Sequence, residues 1–249
     1  MKLNDSVIKF LKARGVAEVG FADLTDFPEF GYASAVVFYI PAPKVMIEAI
    51  DTRDVKTRGE YYNRMNKFLI RTAKDLSKFL KENEYSSLAI THDTKWVKGD
   101  KRIKRPPLKT LATISGLGWI GRCGLLVTKK YGNALRLGAI LTDATFEYGK
   151  PMVKSLCGKC MECCTICPAQ TITGIAWDPS KKNIYDPDGC RKIRRDETFC
   201  SRCIYVCPHT QKYLNKLDEG LFVDTQYMLD HLKNGTPVDS ADIVDSLDK

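Results

Sequence analysis

The chain has 249 residues, 44% hydrophobic and 28% charged, enough to bury a sizeable core as one large domain or two small ones. No stretch approaches the roughly 18 consecutive apolar residues of a membrane span. The opening Met1-Lys2-Leu3-Asn4-Asp5-Ser6 lacks the apolar run and cleavage site of a secretory signal, so a cytoplasmic protein without membrane contact is expected. The formal charge is +9; the basic residues concentrate at 95–109 and continue through Arg122, Lys129, Lys130 and Arg136. Such a stripe suits an anionic partner, or equally a solvated lysine-rich face.

In chain order, Val7, Ile8, Phe10 and Leu11 lie at helical spacing, with Gly15 as a stop. Residues 17–22 read as a short strand, and the apolar run 33–40, ended by Pro41, as a buried one. The apolar positions 61, 62, 65, 68, 69, 72, 73, 76, 79 and 80 trace one face of a long helix. A strand follows at 85–90, then charged, loop-like sequence from 91 to 107. Residues 108–114 predict a helix opened by Pro106-Pro107, and 125–128 and 135–141 predict strands. Residues 1–150 thus form a mixed α/β unit, 151–215 a cysteine-governed unit, and 216–249 an acidic tail.

Nine of the ten cysteines fall between Cys157 and Cys207. In a reducing compartment such clustering means metal ligands or redox groups rather than disulfides. Cys157-x2-Cys160-x2-Cys163-x3-Cys167-Pro168 is the bacterial ferredoxin run, in which three close thiolates cap three irons of a cubane and the fourth serves the other cluster. A second copy, Cys200-x2-Cys203-x3-Cys207-Pro208, lacks the first position, where Glu197 stands, and Cys190 is the replacement. Exchanging the fourth ligand gives one [4Fe–4S] cluster on Cys157, Cys160, Cys163 and Cys207, and another on Cys167, Cys190, Cys200 and Cys203. Two oxidised clusters would lower the net charge to roughly +5. Zinc needs four ligands per site but no doubled three-plus-one pattern with a trailing proline. Cys164 and Cys123 read as packed thiols.

Gly116-Leu117-Gly118-Trp119-Ile120-Gly121 matches G-x-G-x-x-G literally. A dinucleotide site needs a strand before it and a helix after it, the reverse of the order expected here. These glycines predict a tight bend that brings backbone close to a flat ligand or a neighbouring strand.

Residues 116–128, with Leu137-Gly-Ala-Ile-Leu-Thr-Asp143 and the doubled cysteine run, resemble the epoxyqueuosine reductase family, which is related to the corrinoid reductive dehalogenases. The resemblance is good over residues 112–209 and weaker upstream. It implies an α+β protein, a nitroreductase-like α/β domain followed by a ferredoxin-like double [4Fe–4S] domain. It further implies a cobalamin at Gly116, Gly118, Trp119, Ile120 and Gly121, reduced through the clusters, and a ferredoxin or flavodoxin as electron donor. The chain would be a short member without the helical-repeat domain that grips tRNA, so tRNA is a possible but not favoured substrate. The family's proton donor is an Asp in an Asp-Thr-Gly segment; Asp93, in Asp93-Thr94, is the first choice here, and Asp100 and Tyr131 are weaker ones. His92, His209 and His231 stand in no Asp-x-His-x-x-Gly pattern, with Leu229 where that Asp would precede His231, so histidine is not expected below a cobalt. The alternative is a two-cluster electron carrier, or reductive activator of a partner such as a corrinoid protein, without its own cobalamin.

Overall fold

The computed structural model describes residues 2–91, 93–98, 101–180, 184–196, 200–233 and 236–237, the last two pairs of strand residues and 194–196 by backbone alone. Its elements are α1 (Leu3–Lys12), β1 (Glu18–Asp23), β2 (Ser34–Pro41), α2 (Lys44–Asp51), α3 (Val55–Glu82), β3 (Ser87–Ala89), β4 (Val97–Lys98), β5 (Lys101–Arg102), α4 (Leu108–Ile114), β6 (Trp119–Ile120), β7 (Leu126–Val127) and β8 (Leu135–Thr142). Four helices follow, α5 (Glu162–Thr165), α6 (Pro187–Asp196), α7 (Arg202–Tyr205) and α8 (Pro208–Asp218), then α9 (Gln226–Asp230) and a small β9–β10 pair (Leu232–Lys233, Thr236–Pro237).

The main sheet runs β1-β2-β8-β3 with every neighbour antiparallel. All eight residues of β2 are buried because it lies centrally, with a covered face on each side. Alternation sorts its side chains: Val36, Phe38 and Ile40 enter one apolar cluster, Ala35 and Val37 the other. The first cluster is covered by α1 and by the Tyr61, Met65, Phe68, Leu76 and Leu80 stripe of α3. The second is covered by Leu111 and Ala112 of α4 with Ile120 and Leu126 of the short β6–β7 hairpin.

Helix α3 begins earlier than its apolar stripe, since the Asp54 carboxylate accepts from the Thr57 amide at 3.0 Å and caps it. Helix α2 was not anticipated; it buries Met46, Ile47, Ala49 and Ile50. Residues 95–105, expected as a loop, include the two-stranded β4–β5 hairpin, with Lys98, Lys101 and Arg102 exposed.

Residues 208–230 return to the first half of the chain. Tyr213, Leu214, Met228 and Leu229 join the same core as α1 and α3. The Tyr213 hydroxyl donates to Ala42 O at 3.2 Å, Thr225 Oγ1 to Pro41 O at 3.0 Å and Tyr61 Oη to Asp230 Oδ1 at 2.9 Å. The cysteine segment is thereby held between two chain segments that share one core. Among the described residues no helix is long and apolar enough to cross a membrane.

Candidate functional site

The two cysteine runs fold alike. After Cys157, Gly158 takes φ +55, Cys160 N donates to Cys157 O at 3.1 Å, and the four-residue α5 carries Cys163. In the second run Ser201 takes φ +58, the four-residue α7 carries Cys203, and Pro208 opens α8 directly after Cys207. Proline suits that first helical position because its missing N–H would have no partner there. Cys190 sits on α6, whose start is capped by Asp186 accepting from Asp188 N and Gly189 N at 2.9 and 3.1 Å.

All ten cysteines are free thiols. Cys157, Cys160, Cys163 and Cys207 line one cavity of about 80 Å³, together with Cys203 and Cys123. Cys167, Cys190, Cys200 and Cys203 line a second, of about 430 Å³, which Cys123 also borders. Cys203 and Cys123 border both cavities, so six cysteines ring the first and five the second. Among the described residues no three His, Cys, Asp or Glu side chains converge as ligands of a single ion. A cubane distributes its thiolates over separate irons, so thiols ringing a cavity suit it better than they suit one tetrahedral zinc. Cys163 and Cys203 are raised above the ordinary thiol range by their contact with Cys123 and by burial, and Cys207 by burial. Metal ligation at these positions would therefore release protons.

Several groups hold this wall together. The Trp119 indole, 1% exposed, donates to Cys157 Sγ at 3.5 Å and meets the His209 ring edge-on at 5.3 Å. Asn133, buried, donates to Cys123 Sγ at 3.4 Å and to Cys203 O at 3.0 Å, and accepts from Thr210 Oγ1 at 2.9 Å. The Arg122 guanidinium donates to Cys160 O at 3.0 Å, Gly158 O at 2.7 Å and Gly174 O, pinning the first cysteine turn. Cys167 Sγ and Thr171 Oγ1 lie 3.4 Å apart. Sequence reading missed Arg122, Asn133 and Thr210 as supports; the one available signal was the adjacency of Arg122 and Thr210 to motif residues.

The Gly116–Gly121 bend follows a helix and precedes a hairpin, the order the sequence indicated. At each of its glycines an added side chain would meet protein. A Cβ on Gly116, at φ +77, would lie 2.7 Å from Lys150 O, one on Gly118 2.3 Å from Val127 O, and one on Gly121 2.7 Å from Val127 Cγ2. Trp119 and Ile120 are buried. Gly116 is exposed, whereas Gly118 and Gly121 are buried; the bend seats the hairpin and aims the indole at Cys157.

Asp93 lies elsewhere. Its exposed carboxylate pairs with Lys74 at 2.9 Å and accepts from Thr91 Oγ1, and these partners hold it well below the usual carboxylate range. It lines a shallow cavity of α3 and β3 that shares no residue with either thiol-lined cavity. Held ionised, it accepts protons' hydrogen bonds rather than donating one at neutral pH. Tyr131 is buried in an aromatic cluster with Tyr39, Tyr213 and Phe222, and burial raises its pKa. His209 borders the first thiol cavity, whereas His231 is exposed, its Nδ1 2.8 Å from Tyr227 O. His92 and Asp100 lie outside the described residues.

No family model matches the chain. It is 43% identical over 119 residues to an epoxyqueuosine reductase of Synechococcus sp. (strain RCC307), covering 42% of this chain and 35% of that protein. It is 28% identical over 229 residues to a tetrachloroethene reductive dehalogenase of Desulfitobacterium hafniense, covering 80% of this chain and 38% of the other. The chain thus spans about a third of the length of the curated relatives it matches. A crystal structure of epoxyqueuosine reductase with a modified tRNA stem loop superposes at a TM-score of 0.56 with 16% identity, over 94% of this chain and 68% of that one. At that identity the likeness is one of fold.

Proposed function

We propose that this chain, a homologue of the epoxyqueuosine reductases and the reductive dehalogenases, is an iron–sulfur reductase with two four-cysteine redox sites. The sorting of eight cysteines around two adjacent cavities carries the reading. Residues 151–215 then form a ferredoxin-like unit on a nitroreductase-like unit of residues 1–150, and ten free thiols suit the reducing cytoplasm.

In this reading Cys157, Cys160, Cys163 and Cys207 hold one [4Fe–4S] cluster, and Cys167, Cys190, Cys200 and Cys203 the other. Bound there, the clusters would supply single electrons at low potential to a terminal acceptor. The chain's own contribution is legible. Arg122 fixes the first cysteine turn by its backbone carbonyls, Asn133 ties Cys203 to the start of β8, and Trp119 offers a hydrogen bond to one ligand sulfur. Apolar side chains from α2 and β8, among them Met46, Ile47, Ile50, Leu135 and Leu137, line the second site together with Arg58, Lys109 and Arg136.

Of the bend from Gly116 to Gly121, where the family resemblance puts a cobalamin, Gly118, Trp119, Ile120 and Gly121 are buried against protein, and no step is assigned through that group. That burial favours a second reading, a two-cluster carrier or reductive activator of another protein. RNA contact, if part of the function, would fall on the exposed Lys98, Lys101 and Arg102 of the β4–β5 hairpin. The deciding experiment is anaerobic cluster reconstitution followed by incubation with cobalamin, iron, sulfide and cobalt analysis, and EPR of any Co(II). About eight irons and one retained cobalamin support a corrinoid reductase; the same iron without cobalamin leaves the carrier. Failure to bind iron at the cysteines overturns both.

A further inference from the structure

The described residues include ten exposed large apolar side chains, and five of them, Val153 (54%), Leu156 (45%), Met161 (42%), Ile166 (40%) and Ile175 (44%), belong to the segment that carries the first cysteine run. That concentration is not scatter. Ser155 N donates to Trp177 O at 3.0 Å, and Arg122 binds Gly158 O, Cys160 O and Gly174 O at once, so the loop around Leu156 and Met161 lies beside Ile175. Met161 packs on Gly174, where an added Cβ would meet its Cε at 2.6 Å. The cysteines beneath are only half-buried.

The surroundings are basic. Residues 150–177 contain Lys150, Lys154 and Lys159 against the single acid Glu162, until Asp178 just beyond, and all three lysines are exposed. Contiguous apolar surface rimmed by one sign of charge is the anatomy of a protein-docking face rather than of ordinary solvated surface.

We propose that the face formed by Leu156, Met161 and Ile175, rimmed by Lys154 and Lys159, docks a small acidic protein that carries a one-electron redox centre. The proposal rests on the two-cluster reading and adds the entry point for electrons. The apolar centre would exclude water over the first cysteine group, while the lysines steer the acidic partner and set its orientation. One electron leaves the partner's reduced centre, which is oxidised, and reduces the cluster on Cys157, Cys160, Cys163 and Cys207; no bond is made or broken.

The test uses the cluster-loaded full chain and, as probe, a reduced acidic [2Fe–2S] ferredoxin, with cluster bleaching followed by stopped flow. The native rate constant should fall as salt rises. Lys154→Glu with Lys159→Glu should lower it roughly tenfold at low ionic strength, and Leu156→Glu should lower it without changing the salt dependence as strongly. Reduction by dithionite should be unchanged in every variant, which separates lost docking from a lost cluster. As a positional control, Lys98→Glu with Lys101→Glu on the remote hairpin should leave the ferredoxin rate intact. Native rates in the Leu156 and lysine variants, or a loss confined to the hairpin variant, would overturn the proposal. A chain that never takes up iron would instead remove the parent reading.

Discussion

Replacing Trp119 with phenylalanine isolates one interaction of the first thiol group. The indole N–H lies 3.5 Å from Cys157 Sγ, and the ring is 1% exposed with His209 against it. Phenylalanine keeps an aromatic ring and removes the donor. A net hydrogen bond is worth about 0.5–1.5 kcal/mol, more when the acceptor is charged. Only the difference between oxidation states moves a potential, so about 1 kcal/mol is the reasonable scale. At 59 mV per tenfold change for one electron, that is a shift of about 40 mV. The sign follows from charge: a donor favours the more electron-rich, reduced state, so its loss lowers the potential. The smaller ring also costs packing, about 1–3 kcal/mol of stability, which a thermal melt reads separately. EPR-monitored redox titration of reconstituted native and variant protein should show one cluster displaced downward and the other fixed. An upward shift, equal shifts of both clusters, or no shift would refute the assignment of this N–H to a ligand sulfur.

The ligand exchange between runs predicts an unequal pair of double variants. Cys157→Ala with Cys207→Ala should lower reconstituted iron from about eight to about four per chain, whereas Cys190→Ala with Cys207→Ala should remove nearly all of it. Gly118→Ala would place a methyl 2.3 Å from Val127 O, a backbone atom that cannot move alone. A loss of about 1–3 kcal/mol or more in denaturant unfolding is expected, with the midpoint rather than the slope changed. Asp93→Asn tests the acid. Because Thr91 and Lys74 depress the folded-state pKa below the unfolded one, its contribution to stability is present above the ordinary carboxylate range, near about 4, and is lost as pH falls through the folded value. The variant should therefore be slightly less stable than native at neutral pH and should converge with it on strong acidification. Convergence on raising the pH instead would contradict the Lys74 pairing.

What could be read from sequence follows from how local each signal is. The buried run of β2, the apolar stripe of α3 and the helix at 108–114 declare themselves by period, and each stands close to its expected place. The clustering of cysteines around two adjoining cavities could be anticipated because their spacing is a local pattern repeated twice. Helix α2 was missed because only eight residues separate Pro43 from Thr52, too few for its apolar face to repeat. The segment after 216 looked like a tail because it holds eight acidic residues, three of them Asp218, Asp224 and Asp230. In the fold those same carboxylates bind Lys44, the Lys44 amide, and Arg64 with Tyr61, while Phe222, Met228 and Leu229 fill the core. Composition cannot reveal a pairing whose other half lies more than 150 residues away. The supporting roles of Arg122 and Asn133 were missed for a related reason, since their partners include backbone carbonyls of distant loops.

The two thiol cavities adjoin. The first is small and is bordered also by Arg122 and His209. The second is several times larger and is bordered also by side chains of α2 and β8. Cys203 and Cys123 border both, so the two groups share a wall and no solvent layer separates them. On the two-cluster reading, electrons entering beside Cys157 would cross this shared wall to the group containing Cys190. The second cavity is also lined by Met46, Ile47 and Ile50, on the helix that receives the returning C-terminal segment through Lys44. Packing of the segment around Asp224 therefore bears on the wall of the second cavity, because it fixes the start of α2.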